Sequence, residues 1–148
     1  MTDIKSKTER SFNMSRIKGG NTKPEIVTRK YLHSKGLRFR LHKKELPGKP
    51  DIVLSKYRAV IFVNGCFWHA HKNCKDFVWP MTNQEFWKKK IESNVERDKN
   101  NYQLLNELGW RVIIVWECQI TNKRDRELFL NGLVNEIIGL KEADRISK

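Results

Sequence analysis

Hydrophobic positions along the chain follow two periods, and the alternation between them predicts the elements. Thr22 as a cap, Pro24 in a first turn and Gly36 as a stop frame a helix over residues 23–35, with Val27, Tyr31 and Leu32 inward. Apolar runs over residues 37–41, 51–54 and 58–63 read as strands, the last two joined by the short link Ser55-Lys56-Tyr57. Thr82 with Glu85 three residues on is a capping-box signature, opening a long helix to about Leu108 that Gly109 closes. Its apolar stripe is Trp87, Ile91, Val95, Tyr102, Leu105 and Leu108. Residues 111–116 are nearly unbroken apolar and read as the most central strand, ended by Glu117-Cys118. A last amphipathic helix over about residues 124–140 carries Leu128, Phe129, Leu133, Val134, Ile137 and Ile138 on the covered face. The order α-β-β-β-α-β-α predicts an α/β domain, a mixed sheet with helices against it, over residues 22–140. Residues 1–21 are polar and basic and read as an arm with a short helix near residues 10–17, and residues 141–148 as a polar tail.

Two places break the pattern. On the long helix, the position that should fill the stripe between Val95 and Tyr102 is Asp98. An acid on a core face costs desolvation unless it is paired or coordinates something. The second break follows Val60-Ile61-Phe62-Val63: the turn signal Asn64-Gly65 leads into two aromatics, two histidines and two cysteines within residues 66–74. Cores take aliphatics and loops take small polar residues, so this mixture marks a site.

Cys66, His71 and Cys74 have the spacing C-x4-H-x2-C, and Cys118 is the one other cysteine. Four thiolate or imidazole donors suit a tetrahedral Zn²⁺, and a closed set of four makes the ion structural. The alternative is three unrelated buried thiols. His69 lies two residues before His71, so an extended segment turns the two rings to opposite sides. One ligates and the other is free as a general base; which does which stays open. Asp51, after Pro50 at the start of an apolar strand, suits a rim carboxylate holding Mg²⁺ at a phosphodiester, or a loop aspartate ending a turn. Glu25 in a helix first turn reads as dipole complementation. Phe67-Trp68 suggest an aromatic wedge between bases, to which Trp87 adds a third face unless it only begins the core stripe. Met14 is the apolar tip of the basic arm, or part of a frayed end.

Charge sharpens this picture. Thirty Lys+Arg stand against 17 Asp+Glu, a net charge of +13 with pI near 9.9, so a polyanion is the first partner to consider. No apolar run approaches the roughly 20 residues of a membrane span, and Met1-Thr2-Asp3-Ile4-Lys5 carries no signal-peptide core. A cytoplasmic location is expected, where cysteines serve as metal ligands or buried thiols rather than disulfides.

Four motifs stand together in order: Leu46-Pro47-Gly48-Lys49-Pro50-Asp51, Asn64-Gly65-Cys66-Phe67-Trp68-His69 with His71 and Cys74, Asn94-Val95-Glu96-Arg97-Asp98, and Gly109-Trp110-Arg111-Val112 through Val115-Trp116-Glu117-Cys118. In these the chain resembles the very short patch repair (T:G mismatch-specific) DNA endonucleases. The resemblance implies a restriction-endonuclease-like fold with a zinc-stapled loop, and a Mg²⁺-dependent, strand-specific nick 5′ of the thymine in T:G mismatches left by 5-methylcytosine deamination. It implies that Asp51 binds the catalytic metal together with the Val63 carbonyl, and that His69 is the acid/base residue. Glu25 and Asp98 would bind or orient metal-bound waters and His69; Cys66, His71, Cys74 and Cys118 would hold the structural Zn²⁺. Phe67, Trp68 and Trp87 would form the wedge, with Met14 and the arm gripping the duplex. The partner implied is double-stranded DNA carrying a T:G mismatch, met by a monomer, with mismatch-repair proteins as the accessory class. The acid-x-lysine pair of the wider nuclease fold is missing from Val63-Asn64-Gly65, and His69 takes its chemical place. The family can carry Thr where Val63 stands, and a backbone-carbonyl contact survives that difference.

Overall fold

The computed structural model describes residues 21–146, with side chains described as far as Ile138. Met14 and the arm lie outside these residues. Helix α1 spans Lys23–Ser34, followed by strands β1 (Arg40–Leu41), β2 (Ile52–Leu54) and β3 (Ala59–Asn64). Helix α2 (Gln84–Glu107), strand β4 (Arg111–Trp116), and helices α3 (Glu117–Thr121) and α4 (Lys123–Ile146) complete the chain.

The strands form one sheet in the order β1-β2-β3-β4, antiparallel across the first two pairs and parallel between β3 and β4. Because successive side chains point to opposite faces, each strand feeds two cores. Ile52, Leu54, Ala59 and Ile61 pack with Leu32 of α1, Ile120 of α3 and Leu130, Leu133, Val134 and Ile137 of α4. Val53, Val60 and Phe62 pack on the opposite face with Leu105 of α2 and Trp110. Burial on both faces explains why β2 and β3 read as unbroken apolar runs. This is the expected α/β domain with a mixed sheet, but β4, expected as its most central strand, lies at the edge, and β2 and β3 are the fully covered strands. Among the described residues no helix is long and apolar enough to cross a membrane.

Register places the site. Asn64 at the end of β3 pairs with Trp116 at the end of β4, so the chain leaves both strands at the same edge of the sheet. The loop beginning at Gly65 and the helix beginning at Glu117 are neighbours, which brings Cys66 and Cys118 together across 52 residues of sequence.

Several boundaries differ from expectation for identifiable reasons. Residues 37–39 do not join β1, because Gly36 takes φ +81° and the Leu37 N–H closes α1 by donating to the Leu32 carbonyl at 3.1 Å. Asp51 stands one residue ahead of β2 instead of within it. The Thr82 capping box does not form: the cap position is Asn83 at φ +53°, a conformation that asparagine tolerates, and no side chain caps the helix. Thr22 occupies its expected cap position, also without a side-chain bond. On α2, Ile91 and Leu105 are buried, but Val95 is exposed and the adjacent Asn94 is buried instead, because this stretch faces the loop after β3 rather than the sheet; Leu108, just past the helix, is also exposed. Glu117 and Cys118 begin a short helix instead of ending β4. The last helix continues through residues 141–146, expected as tail, and Leu128 is 77% exposed rather than on its covered face.

Candidate active site

Asp51 is fixed by the sheet. The Val63 backbone N–H of β3 donates to Asp51 Oδ2 at 2.7 Å. Glu25 lies in the first turn of α1 and is 1% exposed. Arg29, one turn on, donates to Glu25 Oε2 at 3.0 Å, and His42 Nε2 lies 2.8 Å from Oε1. The same Nε2 is 4.0 Å from Asp51 Oδ1, and the His42 backbone N–H donates to the Asp51 carbonyl at 3.2 Å. Donor atoms of Glu25, His42 and Asp51 thus lie within 4.8 Å of one another, a group able to hold a metal ion. Burial pushes the Asp51 carboxyl up to about 7; the Val63 N–H opposes this, and the Glu25 charge adds to it. Two crowded acids, one buried and one half-buried, want a cation between them. Dipole complementation alone does not describe Glu25.

His69 belongs to a second group. Tight turns carry the loop, with the His69 N–H bonded to the Gly65 carbonyl at 3.2 Å and Ala70 at φ +51°. They bring His69 Nδ1 into a hydrogen bond with Asp98 Oδ2 of α2. That pairing supplies the reason for an acid on the helix stripe, and it leaves Nε2 for chemistry. Asn94, one turn before Asp98, donates to the Trp68 carbonyl at 3.1 Å and ties the same helix to the loop.

Tyr102 joins the two groups. Its hydroxyl accepts from Asn64 Nδ2 at 3.0 Å, and both Asp98 and Asp51 are near enough for their charges to bear on it. Burial is the main reason its phenol is pushed up to about 12. A cleft of about 560 Å³ opens here, lined by Asn64, His69, Asp98 and Tyr102, with Lys72 and Lys99. A carboxylate, a free imidazole nitrogen and lysine ammonium groups in one cleft suit a phosphodiester.

The loop's other end gathers Cys66, His71, Cys74 and Cys118, whose donor atoms all lie within 4.8 Å. Cys118 Sγ is 3.5 Å from His71 Nδ1, close to the roughly 3.5 Å between two ligands on a tetrahedral ion. The His71 ring stacks on Trp116 at 4.1 Å, which holds its orientation. Geometry therefore decides between the two histidines: His71 joins the cysteines and His69 does not. The thiols are not unrelated. Burial pushes Cys66 up to about 12 and raises Cys118, so without a cation this cluster would stay protonated.

Phe67, Trp68 and Trp87 meet as one cluster, with ring centroids 5.2–5.8 Å apart. All three are half-buried against one another rather than splayed into solvent. Trp87 belongs to this cluster and not to the sheet core.

Residues 2–76 match the family model described as DNA mismatch endonuclease Vsr. The DNA mismatch endonuclease Vsr of Escherichia coli is 47% identical over 136 residues, covering 92% of this chain and 85% of its own length. The chain belongs to the Vsr family of DNA mismatch endonucleases. It is also 47% identical to the type II nicking enzyme V.NmeAIP of Neisseria meningitidis over 93% of this chain and 97% of that protein. The type II nicking enzyme V.XorIIP of Xanthomonas oryzae is 42% identical over 91% and 98%. As a Vsr-family member the chain is a DNA endonuclease of mismatch repair.

Sequence reading missed His42, Arg29, Asn64 and Tyr102. His42 sits in a polar, basic stretch with no periodicity, and only the turn before Asp51 folds it back. Arg29 carries a weak signal as the i+4 partner of Glu25. Phe77, Trp79 and Phe86, which extend the aromatic cluster, were equally unmarked.

Proposed function

We propose that this Vsr-family endonuclease nicks one strand of duplex DNA 5′ of the thymine in a T:G mismatch, leaving a 3′-hydroxyl and a 5′-phosphate. The observation that carries the reading is the pairing of His69 with Asp98 beside the Asp51 and Glu25 carboxylates, across Tyr102. A module that only binds distorted DNA has no use for that arrangement.

Asp51, with the Val63 carbonyl and Glu25, would hold Mg²⁺. When bound, Mg²⁺ supplies Lewis-acid polarisation of the scissile phosphate and charge stabilisation at the leaving oxygen. The chain's own work is positioning and proton transfer. The Val63 N–H sets the Asp51 carboxylate, and Arg29 sets Glu25. Asp98 holds the His69 ring by Nδ1, so that Nε2 takes the proton of the attacking water. Phe67, Trp68 and Trp87 insert between bases at the mismatch, where unstacking is least costly. Cys66, His71, Cys74 and Cys118 would hold Zn²⁺ with no position left open, anchoring the wedge and His69 to the ends of β3 and β4.

The net charge of +13 draws the protein to DNA whatever the sequence. One active site makes one cut, so the chain acts as a monomer, in the cytoplasm where the nucleoid lies. Asp51→Asn and His69→Ala test the reading. Each should abolish nicking of a T:G duplex while mismatch binding in a gel-shift assay is largely retained. Nicking by Asp51→Asn at the parent rate would contradict it.

A further inference from the structure

We propose that His42 is itself a ligand to the active-site cation, so that this site prefers a nitrogen-accepting divalent ion such as Mn²⁺ over Mg²⁺. The inference deepens the function proposed above, because it rests on a cation being seated at Asp51.

Three groups each turn one donor atom to a common centre. Asp51 has Oδ2 engaged by the Val63 N–H and presents Oδ1. Glu25 has Oε2 engaged by Arg29 and presents Oε1. His42 Nε2 lies 2.8 Å, hydrogen-bond distance, from Glu25 Oε1 and 4.0 Å from Asp51 Oδ1. With metal–ligand bonds of about 2.1 Å, two donors on one octahedral ion lie about 3 Å apart when adjacent and about 4.2 Å when opposite. The observed separations fall on these values. The Val63 N–H and Arg29 hold the Asp51 and Glu25 carboxylates from their far sides.

The backbone delivers the ring. His42 follows β1 directly and adopts φ +47°, an unusual conformation for a residue with a side chain. Its N–H is bonded to the Asp51 carbonyl, so the side chain returns over Asp51 instead of continuing away from the strand. In the neutral ligating ring the proton sits on Nδ1 and Nε2 faces the ion. Two carboxylate oxygens alone suit Mg²⁺, which holds oxygen ligands and several waters. An imidazole nitrogen shifts preference toward the transition ions.

The test uses the full chain purified with zinc in its cysteine site, without DNA. Mn²⁺ is titrated by electron paramagnetic resonance, Mg²⁺ is measured by competition, and electron spin echo modulation of bound Mn²⁺ reports a directly coordinated nitrogen. The parent protein should bind Mn²⁺ about tenfold or more tightly than Mg²⁺ and show the nitrogen signal. His42→Asn removes the ligand while tolerating the positive φ. It should lose the nitrogen signal and weaken Mn²⁺ binding by roughly tenfold, the lower end of what disturbing a metal-site partner costs. Its Mg²⁺ affinity should change far less. His42→Gln, which offers an oxygen, should keep Mg²⁺ binding and also lack the signal, whereas His69→Asn should retain it. No nitrogen signal in the parent, or a signal that survives in His42→Asn, overturns the proposal. If Mn²⁺ binding is nonetheless abolished by Asp51→Asn, His42 fails alone and the seat at Asp51 stands. Mn²⁺ binding indifferent to Asp51→Asn overturns both.

Discussion

Asp98 of α2 accepts a hydrogen bond from His69 Nδ1 although 29 residues separate them, and this contact joins the long helix to the loop after β3. A carboxylate behind an imidazole fixes the ring's tautomer and orientation. Asp98→Asn keeps the size of the side chain and removes its charge. Nicking of a T:G duplex should fall by about 10²-fold, less than for His69→Ala, with general acid–base catalysis contributing about 10²–10⁴-fold. Mismatch affinity should stay nearly constant in both variants. Equal nicking by Asp98→Asn and the parent would remove Asp98 from the mechanism.

Asp51 makes stability depend on pH in a direction opposite to that of a salt-bridged acid. Its carboxyl is raised from 3.8 in the unfolded chain to about 7 in the fold, so below pH 4 it is protonated in both states and does not oppose folding. As pH rises from about 4 through 7, the unfolded chain gives up the proton more readily and stability is lost. In the absence of added divalent ion, Asp51→Asn should therefore melt above the parent at pH 8, and the gap should close by pH 4. Thermal unfolding followed by circular dichroism reads this. A gap that widens toward acid would contradict the assigned shift.

Loss of a cysteine ligand should cost stability more than activity-specific chemistry. A structural Zn²⁺ contributes roughly 10–16 kcal/mol of binding energy to folding in small metal-dependent modules. Cys118→Ala is the sharpest variant, because Cys118 ties the loop to the end of β4. Its expected outcome is zinc content well below one ion per chain by atomic emission, a clearly lowered melting temperature and impaired T:G binding. Full zinc occupancy in Cys118→Ala would contradict the four-ligand site.

Phe67→Ala and Trp68→Ala should weaken mismatch binding by about 1–3 kcal/mol each, the usual value of an aromatic face stacked on a base. Binding to matched duplex, dominated by phosphate contacts, should change little. The two losses should not add, because Phe67, Trp68 and Trp87 pack against one another, Phe67 edge-on to both tryptophans. Fluorescence anisotropy on paired duplexes measures both. Equal loss on matched and mismatched DNA would mean that these rings hold the loop together and do not read the lesion.

The elements that bury apolar faces were legible in the sequence because two periods encode them. Strand β4 has the expected bounds, and Gly36 and Gly109, at φ +81° and +90°, end α1 and α2 as expected. Asp98 announced itself as an acid out of place on an apolar stripe. The cysteine cluster was legible because all three cysteines and one of two nearby histidines had a place in it. Which histidine, and what His42 does, depended on left-handed turns at Ala70 and His42, for which the local sequence carries no glycine signal. The failed cap at Thr82 has the same cause, since Asn83 enters α2 from the left-handed region.

The measurement that bears most directly on the proposed reaction is strand-resolved nicking of end-labelled duplexes carrying a central T:G mismatch or the matched C:G pair, with and without Mg²⁺. A single Mg²⁺-dependent cut 5′ of the mismatched thymine, with a 5′-phosphate on the downstream fragment and no cut in the matched duplex, is the predicted result. Cutting of both duplexes alike, or binding to the mismatch with no cut at all, would contradict it.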